Sequence, residues 1–174
     1  MERRYKYIFQ IAVFIMVILG STVSRGETLT EQELQRETLK GLPGVEVVIY
    51  DISDGLKKRG ITEELIKNDV EVRLRKAGIK VFMSNSDRKF LTSGRPQLIV
   101  SMFYYKSESC SAVDMNLGLS QDATLHRNSF FGARTETWEY GFLGINLGTR
   151  PIKNATGDVV DQFINDYLAA NPKK

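Results

Sequence analysis

Short apolar segments that alternate with two helix-like patterns predict an α+β fold. Helical spacing covers residues 63–77 and 151–170, and five short segments rich in β-branched and aromatic residues are typical of strands. The last three strand segments follow one another with only turns between them, which favours antiparallel pairing. We therefore expect a two-layer sandwich with two helices on one face of a mainly antiparallel five-stranded sheet, in the order β-α-β-β-β-β-α.

The first strand and the helix after it have the clearest local signals. Residues 45–52 are rich in β-branched side chains and place Val47 and Ile49 on one side of a strand. After a turn, Thr62 is a helix N-cap and Gly78 a helix stop. Acidic residues begin this segment and basic residues end it, as the helix dipole favours.

The other strands follow from alternation. Residues 79–83 form a short second strand, and residues 97–106 are apolar enough to predict a central third strand that is covered on both faces. Residues 113–120 alternate between apolar and polar positions, so the fourth strand has one solvent-facing side. The fifth strand covers residues 133–142, and a glycine-rich loop at 143–150 leads to the closing helix.

The first 24 residues have the order of a secretory leader. Basic residues precede an apolar run from Ile8 to Leu19, and small residues follow up to Ser24. As a helix the run is about 18 Å long, against a hydrocarbon core of about 30 Å, whereas the stretch 5–23 nearly reaches that length. We expect residues 1–24 to be a signal peptide that is cut after Ser24, or an uncleaved signal anchor.

The leader sets the expected compartment and the division of the chain. We expect an exported protein, periplasmic or secreted, or one that the N-terminal helix holds at the inner membrane; in that case residues 5–23 are its only membrane contact. The predicted divisions after the leader are a short, loosely docked polar helix or linker at 25–43, a single α+β domain at 44–171 and a tail at 172–174.

Charge is uneven along the chain. Residues 57–95 hold 11 basic and 5 acidic side chains, a net charge of 11 − 5 = +6. A solvated helix face is one interpretation of this segment, and an anion-binding patch is the other. Since no basic stripe is interleaved with aromatics, we expect no nucleic-acid partner.

Cys110 and His126 are the only residues of their types, which limits the chemistry available. A thiol enzyme would need them together, but a continuous fourth strand would hold them some 50 Å apart at about 3.3 Å per residue. A serine triad needs the same histidine, and the usual zinc and calcium patterns are absent from the sequence. We predict no catalytic residue, no metal and no cofactor, and we expect a buried Cys110 thiol.

Asp69 and Arg73 lie four residues apart beside the apolar stripe of the first long helix. At this spacing they can form an ion pair. A site would need a third group that converges on them, so we interpret the pair as structural and keep a binding role as the alternative.

Four aromatic residues lie on strands that we expect to be neighbours: Tyr104, Tyr105, Trp138 and Tyr140. Cross-strand packing is one interpretation. The other is a ligand or partner platform on the sheet face without helices, for which exposure of Trp138 would be the sign. The candidate binding residues are therefore Asp69, Arg73, Tyr104, Trp138 and Tyr140.

Two blocks, ITEELIKNDVEVRLRKAGIKVF at 61–82 and DQFINDYLAANP at 161–172, resemble the signature blocks of a family of uncharacterised bacterial exported proteins. The resemblance covers most of the chain after the leader and implies export and a single small domain. It implies no activity and no catalytic residue. The strand-helix-strand opening is also similar to that of small periplasmic domains that assemble with envelope proteins, a likeness of fold alone.

These observations favour an exported, non-enzymatic binding or assembly module of the bacterial envelope. Its partner would be another envelope protein or a small ligand, bound at an exposed sheet edge or an uncovered face. The alternative is a small-ligand carrier or a hydrolase whose carboxylates and tyrosines the spacing does not reveal.

Overall fold

A computed structural model describes residues 29–83 and 91–172, without the side chains of Phe130 and Phe131. The predicted leader and its possible anchor role lie outside the described residues. In chain order the described elements are α1 (Glu31–Glu37), β1 (Glu46–Ile52), α2 (Asp54–Lys57), α3 (Glu63–Lys76), β2 (Gln97–Lys106), β3 (Ser111–Leu125), β4 (Asn128–Ile145) and α4 (Thr149–Ala170).

The strands form one mixed sheet in the order β1-β2-β3-β4. β1 and β2 are parallel, because α2 and α3 form the crossover that parallel neighbours need, whereas β3 is antiparallel to both β2 and β4. Val81 adds a one-residue parallel bridge to Val45 at the free side of β1. The α+β class is confirmed, with a mixed sheet and four helices in the described residues.

The exact order differs from the prediction. The expected second strand at 79–83 is reduced to the Val81 bridge, and Met83 is 81% exposed. The expected turn after β1 contains α2, and β4 extends past the predicted end at residue 142 into the glycine-rich segment. β2 is central as expected, but only one of its faces is fully buried, since no helix in the described residues covers the other.

One face of the sheet forms the core. A row of paired, buried side chains crosses all four strands: Val47, Leu98, Leu119 and Trp138. Because side chains alternate along a strand, every second residue of β2 and β3 continues this face. α3 and α4 cover it with their buried apolar stripes, which are Ile66, Val70 and Leu74 in α3 and Ile152, Val159, Val160 and Phe163 in α4.

Both ends of α3 match the sequence signals. Thr62 Oγ1 accepts a hydrogen bond from Leu65 N–H at 3.3 Å, so this side chain satisfies one of the free donors of the first turn. The helix ends at Lys76 with Ala77 as its C-cap, and Gly78 follows with φ of +82°, a conformation that glycine adopts without steric cost. The N-cap and the stop are therefore confirmed.

The described part of the expected linker packs on the domain. Leu39, just after α1, is fully buried in the core. Asn171, at the end of α4, donates to Leu39 C=O at 2.9 Å and accepts from Gly41 N–H at 2.7 Å. α1 and its exit are thus tied to the C-terminal helix, in contrast to the loosely docked spacer expected from their polar composition.

Candidate functional site

Asp69 and Arg73 form the expected ion pair, with Nε 3.1 Å from Oδ2. A third group does converge on them: the Asp161 carboxylate of α4 lies 3.3 Å from Nη1 of Arg73. All three side chains are partly exposed. Burial works to lower the pKa of the Arg73 guanidinium, but Asp69 and then Asp161 raise it above its usual value. The cluster links α3 to α4 through one shared cation.

Gly157 explains how Arg73 reaches across to α4. A Cβ at Gly157 would lie 2.5 Å from Nη2 and 2.8 Å from Cζ of Arg73. Gly157 lowers the helix propensity of α4, but the absence of a side chain there leaves the space in which the Arg73 guanidinium lies. A shallow cleft of about 350 Å³ opens beside this cluster, between α3 and α4.

Trp138 is buried, at 2% exposure, so the sign expected of an aromatic platform is not met. Its ring packs edge-on against Phe163 at a centroid distance of 5.0 Å. Its indole N–H donates to Asp166 Oδ2 at 3.1 Å. Trp138 belongs to the interior between β4 and α4.

Tyr104 and Tyr140 lie on the same side of the sheet as Trp138. Their register partners are Val113 and Leu117, which are buried under the helices. Arg59 Nη2 donates to Tyr104 Oη at 2.6 Å, and the guanidinium also lies 4.4 Å from the ring centroid. Tyr104, Trp138 and Tyr140 therefore face the helical layer. Of the four aromatic residues considered, Tyr105 lies on the opposite face.

Asp166 is a charged group that the sequence reasoning missed. Its carboxylate is buried and accepts from Trp138, from Arg36 (Nη2 at 2.8 Å) and from Gln162 (Nε2 at 3.1 Å). A signal was present, since Asp166 lies three residues after Phe163 within the apolar stripe of α4. Because it accepts hydrogen bonds from side chains of α1, β4 and α4, this carboxylate stabilises the packing of these three elements.

The face opposite the helices carries an exposed apolar surface. Tyr105, Leu143 and Ile145 are 59%, 67% and 64% exposed, and Phe103 beside them is half-buried. They lie in two neighbouring rows, because Tyr105 and Ile145 both pair with Ala112, while Phe103 and Leu143 both pair with Asp114. We call these four residues the open-face patch.

Among the described residues, α1 and its exit cover one end of the outer edge of β4. Gln35 Oε1 accepts from Glu139 N–H at 3.2 Å, and Thr38 Oγ1 donates to Thr137 C=O at 3.1 Å. Antiparallel pairing alternates the direction of backbone groups, so the groups of Gly141, Leu143 and Ile145 also point outward. No hydrogen bond from the described residues reaches these three from outside the sheet.

An acidic groove of about 600 Å³ lies where α1 meets this edge. Glu31 and Glu139 line it beside Gln32 and Gln35, with Asp166 at its wall. The carboxylate of Glu136, nearby on the open face, lies against Gly118. Burial, and to a lesser degree the charge of Glu139, raises the pKa of Glu136 above its usual value.

Cys110 and His126 lie beyond opposite ends of β3, as a continuous strand requires. The expectation of a buried thiol is wrong, because Cys110 is exposed in the turn between β2 and β3. There its Sγ lies 3.4 Å from Ser107 Oγ, and its backbone N–H also binds this hydroxyl. The tight turn presents the thiol to solvent.

Within residues 29–83 and 91–172, no group of three or more His, Cys, Asp or Glu side chains is arranged to hold a metal ion. Every buried side-chain nitrogen and oxygen in the part of the chain that the structure describes has a hydrogen-bond partner. None of the helices in the described ranges has the length and apolar content that a membrane crossing needs.

Comparison with protein-family models and with curated proteins gave no match.

Proposed function

We propose that this chain is an exported, non-enzymatic binding or assembly module of the bacterial envelope, and that it binds another envelope protein through the open-face patch. The observation that carries the proposal is the exposure of three large apolar side chains, Tyr105, Leu143 and Ile145, in adjacent rows of the sheet. Contiguous apolar surface of this kind marks protein contact sites.

The patch has the construction of a binding surface. It is supported from behind by a fully buried layer, since Val113 and Met115 alternate with Ala112 and Asp114 along β3. Covering the exposed part of each large side chain would gain roughly 1–2 kcal/mol. Asp114 at the centre adds a charge that a partner must pair with or leave in solvent, which favours one orientation over others.

Export supports a partner in the envelope. The leader pattern at 1–24 and the resemblance carried by the two helical blocks both point to that compartment. With a retained leader the module would be held at the inner membrane, and with a cleaved one it would be free in the periplasm or outside the cell.

A second candidate function is that of a small-ligand carrier, which the acidic groove favours. Its volume of about 600 Å³ lies within the range of ligand pockets. Glu31 and Glu139 would select a cationic ligand, while Asp166 is already engaged by its three donors.

Variants of the full chain test the proposal in cells that make the protein naturally. Tyr105→Glu with Leu143→Glu places charge on the patch, and Leu65→Glu with Leu168→Glu is the matched control on helices, where both leucines are 37% exposed. After reversible cross-linking, we expect other envelope proteins to co-purify with the wild type and the control and to be lost from the patch variant. Equal recovery from all three, or recovery from none, would refute the proposal.

A further inference from the structure

Two carboxylates lie close together on the open face of the sheet, at Glu136 and Glu139. Glu139 pairs with Gly118, and a Cβ at Gly118 would overlap the carboxylate of Glu136. Burial, and then the charge of Glu139, raises the pKa of Glu136, so each carboxylate is within electrostatic reach of the other. We call Glu136 and Glu139 the acidic pair.

The acidic pair and the open-face patch belong to one surface. Glu139, Gly141 and Leu143 alternate along β4 and share this face, so Glu139 lies four residues, or about 13 Å, from Leu143. Gly141 has no side chain that would separate them. Asp114, which pairs with Leu143, adds a third carboxylate within the patch. A partner that covers the patch and extends along β4 would therefore reach the acidic pair.

No cation neutralises these carboxylates within residues 29–83 and 91–172, since the ion pairs there involve other acids. Arg134, two residues before Glu136, is engaged by Asp122 and by Gln97 Oε1 at 2.7 Å. The whole chain has a net charge of +3, so the negative charge of this face is a local feature.

From the exposed patch, the acidic pair beside it and the charge left unpaired in the described ranges, we infer that the partner of the open face is a basic protein segment. Its apolar side chains cover the patch, and its lysine or arginine binds the acidic pair. This inference rests on the proposed function and deepens it, because it names the chemistry of the partner. The partner's basic group would lie roughly 13–20 Å from its apolar contacts. Opposite charges at these positions would favour one orientation and speed association.

Charge reversal in the full chain tests the inference, with a photoreactive side chain at Leu143 and in cells that make the protein. Glu136→Lys with Glu139→Lys reverses the acidic pair. Glu64→Lys with Asp158→Lys is the matched control, because it reverses two exposed acids of α3 and α4 and changes the net charge equally. We expect the yield of protein adducts to fall roughly ten-fold in the first variant and to stay at the wild-type level in the control.

A neutral variant separates lost attraction from added repulsion. Glu136→Gln with Glu139→Gln should give a smaller loss of adducts than the lysine variant. In isolated cell envelopes, added salt should lower the wild-type yield and change that of the glutamine variant much less. Circular dichroism shows whether the variants are folded, and mass spectrometry of the adduct should place a lysine or arginine near the linked residue of the partner.

Three results would overturn the inference: unchanged yields from both variants of the acidic pair, an equal loss from the helix control, or linked partner segments without a lysine or arginine. If Tyr105→Glu with Leu143→Glu loses the partner and the acidic-pair variants keep it, the proposed function stands and the inference fails. No adduct from the wild-type surface would overturn both.

Discussion

Replacing Asp166 by alanine removes the carboxylate on which Arg36, Trp138 and Gln162 converge. The Trp138 indole N–H is buried and would lose its only acceptor shown by the structure, a cost of about 1–3 kcal/mol. The charge-assisted bond from Arg36 is worth about 1.5–3 kcal/mol, and the low end applies because this side chain is 38% exposed and regains water.

These terms give an expected loss of about 3 kcal/mol, close to the value for breaking a buried ion pair. For a chain of 174 residues this corresponds to a Tm decrease of roughly 6–12 °C. Urea and thermal unfolding followed by circular dichroism measure it without depending on the single tryptophan.

Asp161→Ala is the matched control for Asp166→Ala. It lies on the same helix, is 55% exposed and forms an ion pair with Arg73, so its loss should stay below about 1 kcal/mol. If Asp166→Ala were no more destabilising than Asp161→Ala, the carboxylate would not be structural. It would then be available for chemistry in the acidic groove, and the reasoning would be refuted.

Three further predictions concern packing and charge. Gly157→Ala should stabilise an Arg73→Ala variant by about 1 kcal/mol, because alanine has the higher helix propensity. In the wild type the gain should be clearly smaller, because the new methyl group displaces the Arg73 guanidinium. Equal gains in urea unfolding would show that the two residues are not in contact. Glu136→Gln should raise the free energy of unfolding at pH 7, because the raised pKa of Glu136 shows that its ionised carboxylate is disfavoured in the folded protein. The gain should disappear as the pH falls through that raised pKa to the usual value of 4.5, and a pH series of urea unfolding that shows a loss at pH 7 would count against this prediction. Trp138 should emit at short wavelength and resist acrylamide quenching, and ready quenching would show that it is exposed.

The sequence predicts best where local signals agree. α3 begins after its N-cap Thr62 and ends just before Gly78. The alternation of β3 places Val113, Met115 and Leu117 in the core. In both cases the information lies within a few residues, and the sheet face or helix stripe follows from the period alone.

The open-face patch and the buried carboxylate depend on distant partners. Leu143 and Ile145 lie beside Gly141 and Gly144, in a stretch that reads as loop, and only pairing with β3 extends the strand to them. Asp166 places a carboxylate in an apolar stripe. The hydrogen-bond donors that offset the cost of burying it, Arg36 and Trp138, lie 130 and 28 residues away in the sequence. Such pairings follow from topology, which spacing along the chain does not specify.

A photoreactive side chain placed at single positions of the full chain, in cells that make it, tests the central claim most directly. The positions compare the open-face patch (Leu143), the acidic groove (Gln32) and the exterior of α4 (Leu168). We predict protein adducts from Leu143 and none from Gln32 or Leu168. Adducts from Gln32 or Leu168 without any from Leu143 would contradict the assignment of the open face as the contact surface.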